Sequence, residues 1–305
     1  MKAPTEPQTR VLAAIQHRAR ILATEKTSAT GQRSPLDGAP QQPSPESRRH
    51  HIAVRRALVE VARAGAVPAA WIAHAIREGD QGLPFDPDTA LPEPEPVDWD
   101  TVLGGLDTEV RQLQHWAALA AAHHAFRIPG TGHYASGIDR NLRTLYARTA
   151  GIANLLGIDR ELGRDLWGAH RDWTPAAIAT ISYTPHPELP AHWSRIAQTS
   201  TTITSQHAAA LANAGITITE SPAIPSPDTL LPAVARELAP APALFSDLGN
   251  TIDAAVGAAQ PIREMPAAFG DPAAVFSHSG GPEPWSGDPA WAQRQTAPIW
   301  QEPGQ

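Results

Sequence analysis

Two pairs of adjacent arginines, seven positions apart, are the residues of this chain with the clearest chemical use. Because seven residues make almost two full helical turns, both pairs fall on one face of a helix. Guanidinium groups arranged in this way can neutralise several phosphates of a nucleic-acid backbone, although a solvated helix face is the simpler alternative. The predicted phosphate contacts are Arg48, Arg49, Arg55, Arg56, Arg63 and Arg77.

The charge of the chain is divided unevenly along its length. Residues 1–66 carry 11 Lys and Arg against 5 Asp and Glu, a net charge of +6. The rest carries 13 against 26, a net −13, and the whole chain is therefore at −7. A basic arm followed by an acidic remainder favours contact between the N-terminal part and a polyanion.

Residues 57–77 have the spacing of two helices joined by a tight turn. Ala62 takes the position where the helices touch, Val67 closes the turn, and Ile72 and Ala75 anchor the second helix. The pattern resembles the helix-turn-helix of the lac-repressor type, which implies a DNA contact with the second helix as the recognition helix. An ordinary αα-hairpin has the same small-residue turn and the same apolar anchors, and is the alternative interpretation.

A second resemblance concerns residues 64–82, AGAVPAAWIAHAIREGDQG. This segment is similar to stretches in uncharacterised proteins of actinobacterial phages and plasmids. The resemblance implies an accessory protein of a mobile element and no particular activity.

The chain departs from the helix-turn-helix pattern in two ways. Gly65 and Ala66 stand where the family has a small residue followed by glycine. In addition, the exposed positions of the second helix carry mostly alanine, whereas base recognition in the major groove needs long polar side chains. His74 is the candidate base contact, and we expect binding through phosphates to dominate over sequence reading.

The histidines do not form a predicted metal site. His115, His123, His124 and His133 fall within nineteen residues, but positions 115 and 123 point about 80° apart on a helix, a poor geometry for one ion. The sequence contains no cysteine, which excludes thiolate ligands and nucleophiles. We expect no metal and no cofactor.

The sequence also contains none of the common catalytic motifs that were considered. The sequence has no nucleophile elbow, no Walker phosphate loop and no dinucleotide-binding glycine pattern. Asp165, His170 and Asp172 could form an acid–base cluster, but such residues at a helix junction are more often helix caps and surface groups. We therefore predict no catalytic residue and rank an enzyme third, behind two non-catalytic alternatives.

Start and stop signals of helices predict an all-α protein, with a small helix-turn-helix-like N-terminal module, a helical bundle, Pro-rich linkers and a C-terminal tail. The predicted segments are a basic amphipathic helix (1–26), a disordered linker (27–47), the helix-turn-helix-like hairpin (48–82), a stiff Pro/Glu linker (83–100), the bundle (101–260) and a disordered tail (261–305).

Several bundle helices have predicted starts. Asp107 is expected to cap a helix that runs to Phe126 with His124 on its inner face. Asp139 and Asp159 are expected to cap the next two helices, and Thr174-Pro175 to open another.

No predicted segment is a signal peptide or a membrane span, so we expect a cytoplasmic protein without membrane contact. The favoured function is a non-catalytic, DNA-associated accessory or regulatory protein, and its predicted partner is double-stranded DNA. The alternative is a protein–protein adaptor that docks through tail aromatics, Trp285, Trp291 and Trp300. The sequence gives no prediction of oligomeric state.

Overall fold

The computed structural model describes residues 3–30, 44–216 and 222–238, with side chains omitted at 28–30. These residues form ten α-helices and two short 3₁₀-helices and include no β-strand, which confirms the predicted all-α class. The α-helices are α1 (Glu6–Thr30), α2 (Pro45–Ala64), α3 (Ala69–Asp80), α4 (Trp99–Phe126), α5 (Ala135–Leu155), α6 (Arg160–Trp167), α7 (His170–Ser182), α8 (Leu189–Gln198), α9 (Thr202–Asn213) and α10 (Pro227–Leu238).

Helix α4 is the centre of the bundle and packs against α5, α7, α8 and α10. Every residue from Trp116 to His123 is buried, because a run of alanines lets the neighbouring helices approach from several sides. Trp193 of α8 is completely buried and its indole N–H donates a hydrogen bond of 2.8 Å to the carbonyl of Leu119. This hydrogen bond fixes α8 on α4.

The N-terminal helices share their hydrophobic core with the bundle. Val11 and Ile15 of α1, Val61 of α2 and Ile72 of α3 belong to the same buried cluster as the residues of α4 and α5. Close approaches make this packing possible: a Cβ atom on Gly65 would lie 2.3 Å from Cδ2 of Leu155 in α5. Helices α1–α3 are therefore held in place by the bundle.

The acidic Pro-rich segment that follows α3 folds back over α1 and α3, where the sequence predicts a stiff, extended linker. Side-chain Nε2 of Gln16 donates to the carbonyls of Leu83 and Pro84, at 3.2 and 3.0 Å. The indole N–H of Trp71 donates to the carbonyl of Pro92 at 2.8 Å. Buried side-chain donors thus hold a segment that lacks helical hydrogen bonds of its own.

Two predicted details of helix α4 are wrong. Helix α4 begins at Trp99 instead of near Asp107, because the side chain of Asp98 accepts the backbone N–H of Thr101 at 3.1 Å. His124 is exposed, and its neighbour His123 takes the buried position, with Nε2 3.1 Å from the carbonyl of Thr131.

Two further helices start earlier than expected. Helix α5 begins at Ala135, before the predicted cap Asp139. Helix α7 begins at His170, and Pro175 lies inside it; the carboxylate of Asp172 accepts the backbone N–H of Ala169 at 3.1 Å. The predicted cap of α6 is confirmed, since Asp159 accepts the N–H groups of the next turn at 2.9 Å.

Within the described ranges, no helix is both long enough and apolar enough to cross a membrane. The predicted tail 261–305, with Trp285, Trp291 and Trp300, lies outside the described residues, as does most of the predicted linker 27–47.

Candidate nucleic-acid interface

Helix α2 carries the predicted phosphate contacts, and its sequence explains where it begins and which face it buries. The hydroxyl of Ser44 accepts the N–H of Ser47 at 3.1 Å, and Pro45 occupies the first turn, where its missing N–H costs nothing. Ala57, Leu58, Val61 and Ala62 form the buried face. The opposite face is left to long cationic side chains.

Five arginines of α2 lie on one arc of the helix, which we call the arginine stripe. At 100° per residue they fall within about 120°, and from the first to the last the helix rises about 22 Å. All are exposed except one that is half-buried. The members of the arginine stripe are Arg48, Arg49, Arg55, Arg56 and Arg63.

Two members of the stripe have an acidic partner. Nη1 of Arg55 lies 3.8 Å from Oδ1 of Asp80 at the end of α3, and Nε of Arg56 donates to Oε1 of Glu60 at 2.9 Å. Among the described residues, no carboxylate lies within ion-pair distance of the three remaining members or of Arg77 on α3. The stripe therefore keeps most of its positive charge available.

The turn after α2 explains how the chain tolerates its departure from the helix-turn-helix pattern. Ala66, at the position where the family has glycine, adopts a left-handed φ of +55°. This conformation costs a residue with a Cβ about 1–2 kcal/mol. Gly65 has φ −88° and is needed instead for its close packing on Leu155.

Helix α3 does not present a base-reading surface. Ala69 and Ala73 are exposed, and alanine offers a major groove only methyl contacts. His74 is half-buried and lines a small cavity together with Glu78 and Asp86. The folded-back segment thus covers part of this helix and brings acidic groups beside the predicted base contact.

Helix α1 adds cations next to the stripe that the sequence did not single out. Lys26 lines a cleft of about 300 Å³ with Arg48, Ile52 and Arg55 of α2 and Asp80 of α3. Further along the same pair of helices, Nη1 of Arg18 lies 3.1 Å from Nδ1 of His51. The only sequence signal for this pairing is the polar face of α1 opposite its apolar stripe.

A chain of polar contacts, which was not predicted, connects Glu60 of α2 to α9 and α5. Oε2 of Glu60 accepts the Nε2–H of His207 at 2.7 Å, and Nδ1 of His207 accepts Nε–H of Arg148 at 3.0 Å. This geometry requires the neutral imidazole with its proton on Nε2. Arg148 also forms an ion pair with Glu109 of α4.

The chain of contacts changes the acidity of Glu60. Burial raises its pKa, but hydrogen bonds from Arg56 and His207 and the positive charge of Arg56 outweigh burial, so the net pKa lies below the ordinary value. Glu60 is therefore ionised at neutral pH and joins α2 to α9. It also orients Arg56 at the edge of the stripe.

The histidines and acids considered for chemistry have separate structural surroundings. The ring of His123 packs edge-on against Trp193, at a centroid distance of 4.9 Å. His170 makes a hydrogen bond of 3.2 Å with the carbonyl of Ala223, and Asp165 lies 3.4 Å from Arg164. In the part of the chain that the structure describes, no group of three His, Asp or Glu could hold a metal ion.

The predicted phosphate contacts on α2 thus lie together on one surface. The five members of the stripe share one surface, and Arg77 is exposed on the neighbouring helix. No family model matches the chain, and no curated protein or solved structure is significantly similar to it.

Proposed function

We propose that this chain is a non-catalytic, DNA-associated accessory or regulatory protein that binds mainly to phosphates of double-stranded DNA. The observation that carries the proposal is the arginine stripe: five guanidinium groups on one exposed arc of a helix whose other face is locked into the bundle. The loose resemblance to actinobacterial phage and plasmid proteins favours a mobile element as the setting.

The dimensions of the stripe fit a DNA backbone. A rise of about 22 Å corresponds to roughly six base pairs at 3.4 Å each. Over that length a duplex carries one phosphate charge per about 1.7 Å of its axis. A stretch of duplex as long as the stripe therefore carries more phosphate charges than the stripe has arginines.

The surroundings of α3 favour phosphate contact over base reading. Insertion of α3 into a major groove would bring Asp86 and Glu78, beside His74, close to the phosphates. On α2, by contrast, Asp80 and Glu60 hold Arg55 and Arg56, and the five arginines of the stripe outnumber the remaining acidic residue, Glu46. We expect affinity with little dependence on base sequence.

The proposal is tested by neutralising the three stripe members without an acidic partner. A full-length variant with Arg48, Arg49 and Arg63 changed to Gln is compared with wild type on a random-sequence duplex, by fluorescence anisotropy. Each phosphate contact contributes about eightfold to affinity at 0.1 M salt, so loss of two or three contacts weakens binding by roughly 60- to 500-fold.

A matched control has the same change in net charge on a different surface. Exposed Arg140, Arg195 and Arg236 lie on α5, α8 and α10, and their replacement by Gln is expected to leave affinity within about threefold of wild type. Equal affinities of the two triple variants, or no binding by wild type at low salt, would reject the proposal.

The adaptor hypothesis rests on residues outside the described part of the chain. Trp285, Trp291 and Trp300 stay predicted docking residues on the sequence pattern alone. The absence of DNA binding by wild type, combined with the loss of a purified partner on removal of residues 261–305, would favour the adaptor.

A further inference from the structure

A larger polar cavity is lined by residues that lie far along the chain from the arginine stripe. Its volume is about 620 Å³, which is within the range of small-molecule sites. It lies where α6, α7 and α10 begin, beside α5. The lining residues are Tyr146, Arg160, His170, Arg171, Thr174, Pro222, Pro225, Ser226, Thr229, Leu230 and Ala233.

The charges that line this cavity are all of one sign. Arg160 and Arg171 contribute guanidinium groups, and no described carboxylate side chain is among the lining residues. Arg160 has no acidic partner among the described residues, and Nε of Arg171 lies 3.6 Å from exposed Asp172. His170 uses Nε2 on the carbonyl of Ala223, which leaves Nδ1 for another partner.

Tyr146 contributes a phenol hydroxyl to the cavity. The residue is buried and lines the cavity, and its hydroxyl, which makes no hydrogen bond to a described residue, is open to the cavity. Burial and the nearby Asp228 raise the pKa of Tyr146, so the phenol stays protonated and is a hydrogen-bond donor.

The nearest carboxylates are occupied by other partners. Asp172 accepts the N–H of Ala169, and Oδ1 of Asp228 lies 2.7 Å from Nη2 of Arg143. The hydroxyls of Thr174 and Thr229 add neutral polar groups to the lining. The cavity therefore combines two guanidiniums, a phenol and hydroxyls.

We propose that this cavity binds the phosphate group of a small organic phosphate ester. A phosphate dianion offers three acceptor oxygens to donors from several directions, whereas a carboxylate offers two in one plane. Two arginines are suited to the double charge. Pro222, Pro225 and Leu230 form an apolar wall for the organic part of the ligand.

The full-length chain is titrated by isothermal calorimetry with phenyl phosphate as the probe, at constant ionic strength. Benzoate and sulfate serve as anion controls. We expect saturable binding with Kd of about 1 mM or tighter, and a much weaker response to both controls. Arg160→Gln and Tyr146→Phe are each expected to weaken binding by about tenfold.

Two further variants separate this site from the surface proposed for DNA. Arg236→Gln removes an exposed arginine of α10 that does not line the cavity, and should leave the affinity unchanged. The Arg48/Arg49/Arg63 variant should also bind phenyl phosphate normally. Circular dichroism is used to check that Tyr146→Phe retains the helical fold.

Three results would overturn the proposal: no saturable binding by wild type, binding that survives in both cavity variants, or binding that is lost only in the stripe variant. Equal affinity for benzoate would overturn the assignment to phosphate. None of these results bears on DNA binding, which depends on α2 and is measured separately.

Discussion

Gly79→Ala tests the close contact that joins α3 to α1. A Cβ atom at this position would lie 2.4 Å from the carbonyl oxygen of Gln16 and 2.6 Å from Cβ of Ala19. Because a carbon and a carbonyl oxygen need about 3.3 Å, the two helices must separate by nearly 1 Å. The oxygen belongs to the backbone, so no side-chain rotation relieves the clash.

The expected magnitude follows from two opposing effects. Overpacking costs about 1–3 kcal/mol, and the better helix propensity of alanine returns at most about 1 kcal/mol. We expect a net destabilisation of about 1–2 kcal/mol, which lowers Tm by roughly 2–8 °C in a chain of this size. Thermal unfolding followed by circular dichroism at 222 nm measures the change.

Gly104→Ala is the matched control for the same chemical substitution. Gly104 lies inside α4, is exposed, and has no atom within 4 Å of the added Cβ. Here only the propensity gain remains, and Tm should rise by about 1–4 °C. If Gly79→Ala also raised Tm, the close packing of α1 on α3 would be refuted.

Two other substitutions have defined outcomes. Asn141→Leu removes a buried amide that donates to the carbonyls of Ile196 and Thr199, at 2.7 and 2.9 Å; we expect a loss of about 2–4 kcal/mol in urea unfolding, and a loss below 1 kcal/mol would contradict the role of this amide. Glu60→Gln tests the lowered pKa of Glu60. A carboxylate with a lowered pKa stabilises the folded state at pH values above its ordinary pKa of 4.5. This stabilisation is lost as the pH falls through the pKa of the folded state. The stability difference between the variant and wild type should therefore be largest at neutral pH and shrink in acid. A difference that does not change with pH would show that Glu60 makes no such contribution.

The sequence predicts the helical class and several helix ends, because these depend on local chemistry. Asp159 caps α6 through its own carboxylate, and Gly157 ends α5 in a left-handed turn with φ +75°. Apolar periodicity also predicts the inner face of α5, including Leu142 and Ile152. Such features need no knowledge of distant residues.

Features that depend on tertiary contacts could not be predicted. The segment after α3 contains prolines and acids and looks like a linker, but Trp71 and Gln16 hold it through carbonyls. The choice between His123 and His124 as the buried residue depends on the position of Trp193 in α8, which lies about seventy residues further along the chain.

The predicted arginines do share one surface, because seven-residue spacing on a helix is enough to place them there. Which of these arginines have acidic partners could not be predicted, because the partners come from other helices or depend on side-chain packing. Asp80 reaches Arg55 only because α3 packs beside α2, and His207 reaches Glu60 from α9. These partners decide how much unpaired positive charge the stripe carries.

The salt dependence of DNA binding by the full-length chain tests the central claim most directly. If three to five stripe arginines contact phosphates, a plot of log Kd against log salt concentration has a slope of about 2.7 to 4.5. The variant with Arg48, Arg49 and Arg63 changed to Gln should lose up to about 2.7 of that slope. A slope near zero in wild type, or the same slope in both proteins, would contradict the account.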